Sequence, residues 1–252
     1  MKHRVKSKNH LIWILMVSAS FLYAQTPTKN TYVIVHGAWG GAWAFKSLDS
    51  LLSLDGNSVY RPTLTGQGER AHLASKNIGL NTHIQDIVNT ILYEKLNQII
   101  LIGHSYGGMV ITGVADKIPE RISKLIYVDA MIPEHNESVY TIFGSGFRNY
   151  PIKNGYIIPP WVTKKQTAPK DVPQPLKTWT DKISLNNKKR MSIPTAYILT
   201  VEKNKQPATD DYASQATRAK QKEWPVYILE ATHNPQWSNL NGFHKMLQNL
   251  EK

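Results

Sequence analysis

The sequence predicts an α/β fold in which a mostly parallel central sheet is flanked by helices. Six short apolar runs have the composition of strands, and they fall at residues 31–35, 58–61, 98–102, 124–128, 195–200 and 226–229. Segments with helical character separate several of them, and strands that alternate with helices pair in parallel. With 252 residues, the chain has room for one such domain and an insertion.

The first 24 residues have the composition of an export signal rather than of a fold element. Residues 11–22 form an apolar run that is too short to span a bilayer comfortably, and Ala24 offers a small residue for cleavage. Four basic residues precede the run: Lys2, Arg4, Lys6 and Lys8. We predict a signal peptide over residues 1–24 and an exported protein, periplasmic or secreted, that keeps no stable membrane anchor after its removal. An uncleaved anchor is the alternative.

A glycine-rich turn follows the first predicted strand and has the sequence His36-Gly37-Ala38-Trp39-Gly40-Gly41. Such a turn lets backbone N–H groups approach a substrate oxygen, which is how an oxyanion loop works. A phosphate-binding loop would need the spacing G-x-x-x-x-G-K-[ST] or G-x-G-x-x-G, which this stretch lacks. The turn therefore predicts an oxyanion loop.

The next segments continue the alternation of strands and helices. Residues 45–54 predict a helix that ends near Gly56, Pro62 closes the strand at 58–61, and residues 64–70 form a turn-rich loop. Apolar residues then recur at helical spacing, which predicts an amphipathic helix over residues 81–96 that packs on the sheet.

The strongest motif follows the run at 98–102 and reads Gly103-His104-Ser105-Tyr106-Gly107. A serine at the tip of a sharp strand-to-helix turn has an exposed Oγ, and the residues two before and two after it come so close that only small ones fit. Small and apolar residues continue toward Pro119, as expected of a buried helix. The motif predicts that Ser105 is a nucleophile and that the N–H groups of Ala38 and Tyr106 are oxyanion donors; a purely structural turn is the alternative.

The alternation breaks after the strand at 124–128, which ends at Asp129. Residues 131–192 contain half of the fourteen prolines and seven aromatic residues, and a structureless loop of this length would be unusual. We predict a small cap here, inserted into a core formed by residues 25–130 and 193–252. Aromatic residues in a cap are first of all packing residues, but Trp161, together with Trp39, is a candidate for the wall of an apolar pocket over Ser105.

A nucleophilic serine needs a base within hydrogen-bond reach and a carboxylate that orients the base. His233 is the candidate base because it alone, of nine histidines, occupies the loop after the last predicted strand. Glu202, which follows the strand after the cap, is favoured as the acid, and Asp129 is the alternative. Asp210 and Asp211 are instead expected to cap a polar helix over residues 210–223.

The formal net charge is +12, and about +8 without the first 24 residues. The charge is not clustered in one helix or arm, which argues against nucleic acid as a partner. Residues 131–192 carry ten Lys and Arg against four Asp and Glu. This excess is either a solvated basic face or a basic rim that attracts anionic substrates. The chain has no Cys, so disulfides do not indicate its compartment.

Four motifs occur in order along the chain: His36-Gly-Ala-Trp-Gly-Gly-Ala-Trp, Leu64-Thr-Gly-Gln-Gly-Glu-Arg, Gly103-His-Ser-Tyr-Gly-Gly and Tyr127-Val-Asp-Ala. On these motifs the chain resembles the α/β-hydrolase superfamily from Thr31 to its C-terminus. More narrowly, it resembles the branch of plant methyl esterases, hydroxynitrile lyases and bacterial EstC-type or pyrethroid-hydrolysing carboxylesterases. The resemblance implies a Ser–His–acid triad that uses no cofactor and no metal and acts on a small-molecule ester.

Three features depart from the family pattern. Plant relatives carry an Asp in the loop where this chain has Glu202-Lys203-Asn204, and their cap is longer, so their substrate preferences do not transfer. Lyase members have a threonine at the position of Gly37 and a lysine at the position of Asn234, and that lysine stabilises departing cyanide. We therefore expect a serine carboxylesterase for small, partly apolar esters. A hydroxynitrile lyase-like enzyme and a non-catalytic binding protein are the other hypotheses, and the oligomeric state is not predicted.

Overall fold

The central sheet is built from the six apolar runs of the sequence. In a computed structural model, which describes residues 30–144 and 150–251, the strands are β1 (Thr31–Val35), β2 (Ser58–Tyr60), β3 (Ile99–His104), β4 (Ile122–Val128), β5 (Ile152–Lys153), β6 (Tyr156–Ile157), β7 (Gln174–Pro175), β8 (Thr195–Val201) and β9 (Val226–Glu230). Six of them form a sheet in the order β2-β1-β3-β4-β8-β9. All neighbouring pairs in it are parallel. The predicted fold class is confirmed.

Helices follow the strands, including those predicted over residues 45–54, 81–96 and 210–223 and the one predicted after Ser105. They are α1 (Lys46–Leu54), α2 (Leu80–Tyr93), α3 (Gly107–Lys117), α4 (Val139–Phe143), α5 (Lys177–Thr180), α6 (Ala213–Gln221), α7 (Pro235–Ser238) and α8 (Leu240–Leu250). Helix α2 ends before the predicted residue 96, because the backbone turns into the left-handed region at Lys95, with a φ of 53°. Short 3-10 turns lie at Ala42–Phe45, Gly68–Leu73, Pro119–Arg121, Lys188–Ser192 and Pro207–Thr209.

Alternate residues of each strand face opposite sides of the sheet and build two apolar layers. In β1, Val33 and Val35 join a cluster that includes residues of α2, α3 and α6. Tyr32 and Ile34 join a second cluster with residues of α1 and α8. The inner strands β1, β3, β4 and β8 are covered on both faces and are therefore mostly apolar, whereas the edge strands β2 and β9 are more exposed.

Residues 131–192, the predicted cap, carry short elements of their own. Strands β5, β6 and β7 form a small antiparallel sheet, and α4 and α5 flank it in sequence. This segment is tied to the glycine-rich loop after β1 through one residue. The N–H of Trp39 donates to Gln174 Oε1 at 2.8 Å and its indole N–H to Ile157 O at 3.1 Å, while Val172 donates to Trp39 O at 2.9 Å. The loop and the segment above it are therefore one packed unit.

The carboxyl ends of parallel strands share one edge of the sheet, so the residues that follow them are brought together. This edge carries the glycine-rich loop after β1, Ser105 after β3, Asp129 after β4, Glu202 after β8 and His233 after β9. The predicted signal peptide lies outside the described residues. Within residues 30–144 and 150–251, no helix has both the length and the apolar character that a membrane crossing needs.

Candidate active site

Ser105 sits at the tip of a strained turn between β3 and α3. Its φ of 55° lies in the left-handed region, which is uncommon for a residue other than glycine. The turn is closed by two glycines: a Cβ on Gly107 would lie 2.5 Å from Val35 O, and one on Gly103 would lie 2.8 Å from Gly107 O. Neither position has room for a side chain, which is the physical reason for the glycine spacing.

Three side chains from three strand ends meet in a hydrogen-bonded row. Ser105 Oγ lies 2.9 Å from His233 Nε2, and His233 Nδ1 lies 2.6 Å from Asp129 Oδ2. The second carboxylate oxygen of Asp129 accepts the N–H of Thr200 at 3.1 Å. Asp129 is only 1% exposed. An imidazole whose Nδ1–H donates to this carboxylate leaves Nε2 free to accept the serine proton.

Glu202, the acid that the sequence favoured, does not lie in this row. Its Oε1 pairs with Lys205 Nζ at 2.7 Å, and about half of its side chain is exposed to solvent. Glu202 follows β8, whereas Asp129 follows β4, which is the direct neighbour of β3 in the sheet. His233 follows β9, whose direct neighbour is β8, so the strand order alone would bring Glu202 nearer to the imidazole; the contact is nevertheless made by Asp129, whose side chain lies beside Nδ1. The structure thus places the alternative candidate, Asp129, beside His233, and places the favoured candidate, Glu202, beside Lys205 instead.

Two buried histidines next to the row hold its backbone in place. His104 donates from Nε2 to the carbonyl oxygen of His233 at 2.7 Å, and burial lowers the pKa of His104 to about 3. His36 lies within 2.7 Å of Gly37 O through Nδ1 and accepts the N–H of Leu64 on Nε2 at 3.1 Å. Burial lowers its pKa to about 4. Both rings therefore stay neutral at neutral pH, and their role is to form structural hydrogen bonds to the backbone.

The N–H groups of Ala38 and Tyr106, the predicted oxyanion donors, make no hydrogen bond to any other described residue. Gly37 lets the loop of Ala38 approach the serine closely, because a Cβ on Gly37 would lie 3.1 Å from Ser105 Cβ. The two N–H groups remain available to a bound oxygen.

Tyr212 is a site residue that the sequence analysis missed. Its hydroxyl lies 3.2 Å from Ser105 Oγ, and its ring stacks on that of His233, with centroids 4.9 Å apart and an angle of 14° between the planes. Tyr212 follows two aspartates just before α6, in a polar stretch without a motif. No signal in the sequence distinguished it from other aromatic residues.

A cavity of about 780 Å³ opens above Ser105. Trp39 and Trp161, the predicted pocket residues, both contribute to its wall, and their rings meet edge to face at 5.0 Å. Trp39 is mostly buried, so its main role is packing, whereas Trp161 is 52% exposed. Other aromatic residues complete the wall: Trp43, Phe45, Phe143, Tyr150, Trp179, Tyr212 and Trp237. This lining suits a partly apolar substrate.

The charged residues around the cavity are mostly acidic. Apart from Asp129, the lining includes Asp171, Glu202, Asp210 and Asp211, and burial raises the pKa of Asp171 and of Asp210. Asp210 accepts the N–H of Tyr212 at 2.9 Å in the turn before α6, rather than capping the first turn of the helix itself. Within the described part of 131–192, no Lys or Arg lines the cavity. The basic excess of that segment thus faces elsewhere, which favours the solvated face over the anion-attracting rim.

The sheet order and the serine turn after β3 are those of α/β hydrolases. The chain belongs to the alpha/beta hydrolase family, whose sequence model matches residues 32–242. The predicted resemblance is confirmed by the kinds of proteins it matches, which include plant methylesterases, a carbendazim hydrolyzing esterase and a pyrethroid hydrolase.

Among the relatives, the carbendazim hydrolyzing esterase of Nocardioides sp. (strain SG-4G) is 50% identical over 111 residues, which are 44% of this chain and 46% of that protein. Putative methylesterase 11 of Arabidopsis thaliana is 27% identical, over 88% of this chain and 64% of its own length. The chain thus spans less than two thirds of the length of these relatives.

Solved structures share the fold over nearly the whole chain. An extracellular alpha/beta-hydrolase from a Paenibacillus species superposes with a TM-score of 0.74 at 21% identity, covering 87% of this chain and 98% of that one. A pyrethroid hydrolase from Sphingobium faniae JZ-2 superposes with a TM-score of 0.68 at 21% identity, covering 88% and 97%. At this level of identity the likeness concerns the fold.

Proposed function

We propose that the protein is a serine carboxylesterase that hydrolyses small, partly apolar esters through an acyl-enzyme. The observation that carries the proposal is the row Ser105–His233–Asp129, with contacts of 2.9 Å and 2.6 Å, at the floor of an aromatic cavity. Esterases, methylesterases and a pyrethroid hydrolase among the similar proteins support the same reaction class.

In the first half-reaction, Ser105 Oγ bonds to the ester carbonyl carbon and passes its proton to His233 Nε2. The carbonyl electron pair moves onto the oxygen, which takes hydrogen bonds from the N–H groups of Ala38 and Tyr106. Asp129 holds the imidazole in the correct tautomer and stabilises its positive charge. When the tetrahedral intermediate collapses, His233 returns the proton to the alkoxide leaving group and the alcohol departs.

In the second half-reaction, water takes the place of the serine hydroxyl. It gives a proton to His233 and bonds to the acyl carbon; the bond from that carbon to Ser105 Oγ then breaks, and the oxygen takes back a proton from His233. The products are a carboxylic acid and the free serine. Of the residues that take part in this cycle, Ala38, Ser105, Asp129 and His233 line the cavity.

The experiment is a screen of p-nitrophenyl and methyl esters with the wild type and with Ser105→Ala. The panel includes carbendazim and a pyrethroid, after the names of two similar proteins. Turnover by the wild type and a loss on the order of 10⁶ in kcat for Ser105→Ala are expected. If the two proteins are equally inactive and a fluorophosphonate fails to label Ser105, the binding-protein hypothesis replaces this one.

The lyase hypothesis has less support. A threonine at position 37 would crowd a loop in which even a Cβ lies 3.0 Å from His104 Nδ1, and position 234 offers an amide rather than a cation to a departing cyanide. Release of cyanide from mandelonitrile by the wild type would favour the lyase instead.

We also propose that the protein is exported, on the composition of residues 1–24. Expression of the full chain followed by fractionation and N-terminal sequencing tests this. The mature protein is expected outside the cytoplasm with a new N-terminus near residue 25, and a full-length chain in the membrane fraction would support the uncleaved anchor.

A further inference from the structure

We propose that Tyr212 is a further catalytic residue of this site, whose hydroxyl donates a hydrogen bond to Ser105 Oγ and whose ring keeps the imidazole of His233 aligned with that oxygen. The inference rests on the esterase mechanism proposed above. It starts from two contacts of one side chain: 3.2 Å from its hydroxyl to Ser105 Oγ, and a parallel stack with the His233 ring at 4.9 Å. One side chain thus touches both partners of the proton transfer.

The direction of the hydrogen bond follows from the protons available. The hydroxyl proton of Ser105 is committed to Nε2 of His233, because Nδ1 of the same ring carries its proton toward Asp129. The oxygen of Ser105 can therefore only accept from Tyr212. Burial raises the pKa of the Tyr212 phenol, so the phenol keeps its proton at neutral pH and can donate it.

Tyr212 is held firmly enough to aim this hydroxyl. Its N–H donates to Asp210 Oδ1 at 2.9 Å, and its carbonyl accepts the N–H of Ala216 at 3.0 Å in the first turn of α6. Its ring meets Phe143 edge to face with centroids 6.0 Å apart. Further along, α6 is tied to the segment after β4 by Gln215, whose Oε1 accepts the N–H of Ile132 at 2.9 Å. The side chain itself is 7% exposed.

The hydroxyl would act on charge at Ser105 Oγ in both half-reactions. As Oγ gives its proton to His233 and attacks, part of the negative charge is on Oγ, and it is there again when the acyl carbon–Oγ bond breaks in deacylation. A donor at this place stabilises that charge, and Tyr212 keeps its own proton throughout. The stacked ring offers its π face to the imidazolium that forms at the same moment.

The test separates the hydroxyl from the ring. Tyr212→Phe keeps the ring and removes the donor; we expect kcat to fall about tenfold or more, with KM changed by less than about threefold. The rate at which a fluorophosphonate labels Ser105 is expected to fall in parallel, since it measures the same nucleophile. Tyr212→Leu removes the ring as well, and a further loss of about tenfold is expected. Tyr227→Phe, which removes a phenol from the surface strand β9, is the matched control and should match the wild type.

The outcomes distinguish this inference from the function on which it rests. If the wild type and Ser105→Ala are equally inactive on all esters, the esterase proposal fails and the role of Tyr212 fails with it. If the wild type is active and Tyr212→Phe keeps full kcat and labelling rate, with only a lower melting temperature, Tyr212 is a packing residue and the inference is overturned.

If Tyr212→Phe does not fold, a second substitution at the same position still tests the role of the hydroxyl. 3,5-Difluorotyrosine at position 212 keeps the ring and the hydroxyl but makes the hydroxyl a stronger donor. A change of at least about twofold in kcat is expected if the donor acts on Ser105, and an unchanged kcat overturns the inference.

Discussion

The carboxylate of Asp129 reaches Nδ1 of His233 at 2.6 Å although the two residues are 104 positions apart in the chain. Asp129 stands at the end of β4 with a φ of 45°, a left-handed conformation that aspartate tolerates better than most residues. Its two oxygens are both engaged, one by His233 and one by the N–H of Thr200. The contact therefore belongs to a fixed carboxylate, which is what an orienting acid requires.

This relationship predicts opposite outcomes for the two candidate acids. Asp129→Asn keeps the shape but presents a neutral amide to the imidazole, so the correct tautomer is no longer enforced, and kcat is expected to fall by about 10³ to 10⁴. Glu202→Gln breaks only an exposed pair with Lys205 and should stay within about threefold of the wild type. Steady-state kinetics on one ester decide between them, and the reverse ranking would restore Glu202 as the acid.

A second prediction concerns Gly37 in the loop after β1. A Cβ there would lie 3.0 Å from His104 Nδ1 and 3.1 Å from Ser105 Cβ, which is closer than side chains normally pack. Gly37→Ala should displace the loop or the serine turn and lower kcat at least tenfold. At Gly40 the nearest atom to an added Cβ is 3.7 Å away, so Gly40→Ala is the comparison and should lose clearly less activity. Equal losses at the two positions would argue against a close approach at Gly37.

The sequence predicted the fold and placed Ser105 and His233 at the site because short stretches of sequence and the chain order carry this information. Apolar runs and helical spacing identify the strands, and the glycines around Ser105 identify the turn. The acid was not decided, because Asp129 and Glu202 both follow strands at the same edge of the sheet, and only the contacts of their side chains in the folded protein separate them. Tyr212 was missed because its contacts with Ser105 and His233 are formed by tertiary structure alone.

A third prediction concerns the charge of the substrate. Asp171, Asp210 and Asp211 line the cavity, so a negatively charged ester should be a poorer substrate than a neutral one of the same size. We expect kcat/KM for a p-nitrophenyl hemisuccinate to be at least about tenfold below that for the butyrate at low ionic strength, and the gap to narrow as salt is added.

The matched variants for this prediction are Asp211→Asn and Lys153→Gln. Asp211→Asn removes one charge from the cavity wall and should reduce the difference in kcat/KM between the neutral and the anionic ester. Lys153 lies on β5 outside the cavity, so its replacement should leave this difference unchanged. If the wild type prefers the anionic ester and Lys153→Gln loses this preference, the hypothesis that the basic residues of 131–192 attract anionic substrates would be supported instead.

A fourth prediction concerns Trp161. Its ring is half exposed in the cavity wall, meets Trp39 edge to face at 5.0 Å, and donates its indole N–H to Asp171 at 2.7 Å. Trp161→Ala removes apolar contact area from the pocket but little from the core, so KM for aromatic esters should rise about fivefold or more while the melting temperature shifts by only a few degrees. Met191→Ala, at an exposed position outside the cavity, is the control. A large loss of stability in Trp161→Ala would show that the ring is structural.

A fifth prediction concerns stability in acid. Burial lowers the pKa of His36 and of His83 to about 4 and that of His104 to about 3, whereas an unfolded histidine titrates near 6.5. Below about pH 6.5 the unfolded chain therefore binds protons that the folded chain does not. The stabilisation that neutral histidines give is complete above that pH and is lost as the pH falls toward 4.

The free energy of unfolding should fall with pH by about 4 kcal/mol per pH unit near pH 5, because each of the three buried histidines contributes about 1.4 kcal/mol per unit. Urea unfolding at pH 7, 6 and 5 measures it. His83 donates to Thr65 O and accepts from the hydroxyl of Tyr106, so His83→Gln, which can keep both kinds of hydrogen bond, should reduce the slope by about a third. A free energy of unfolding that stays constant from pH 7 to pH 5 would mean that these rings accept protons in the folded protein. It would contradict the view that neutral His104 and His36 hold the backbone of His233 and Gly37.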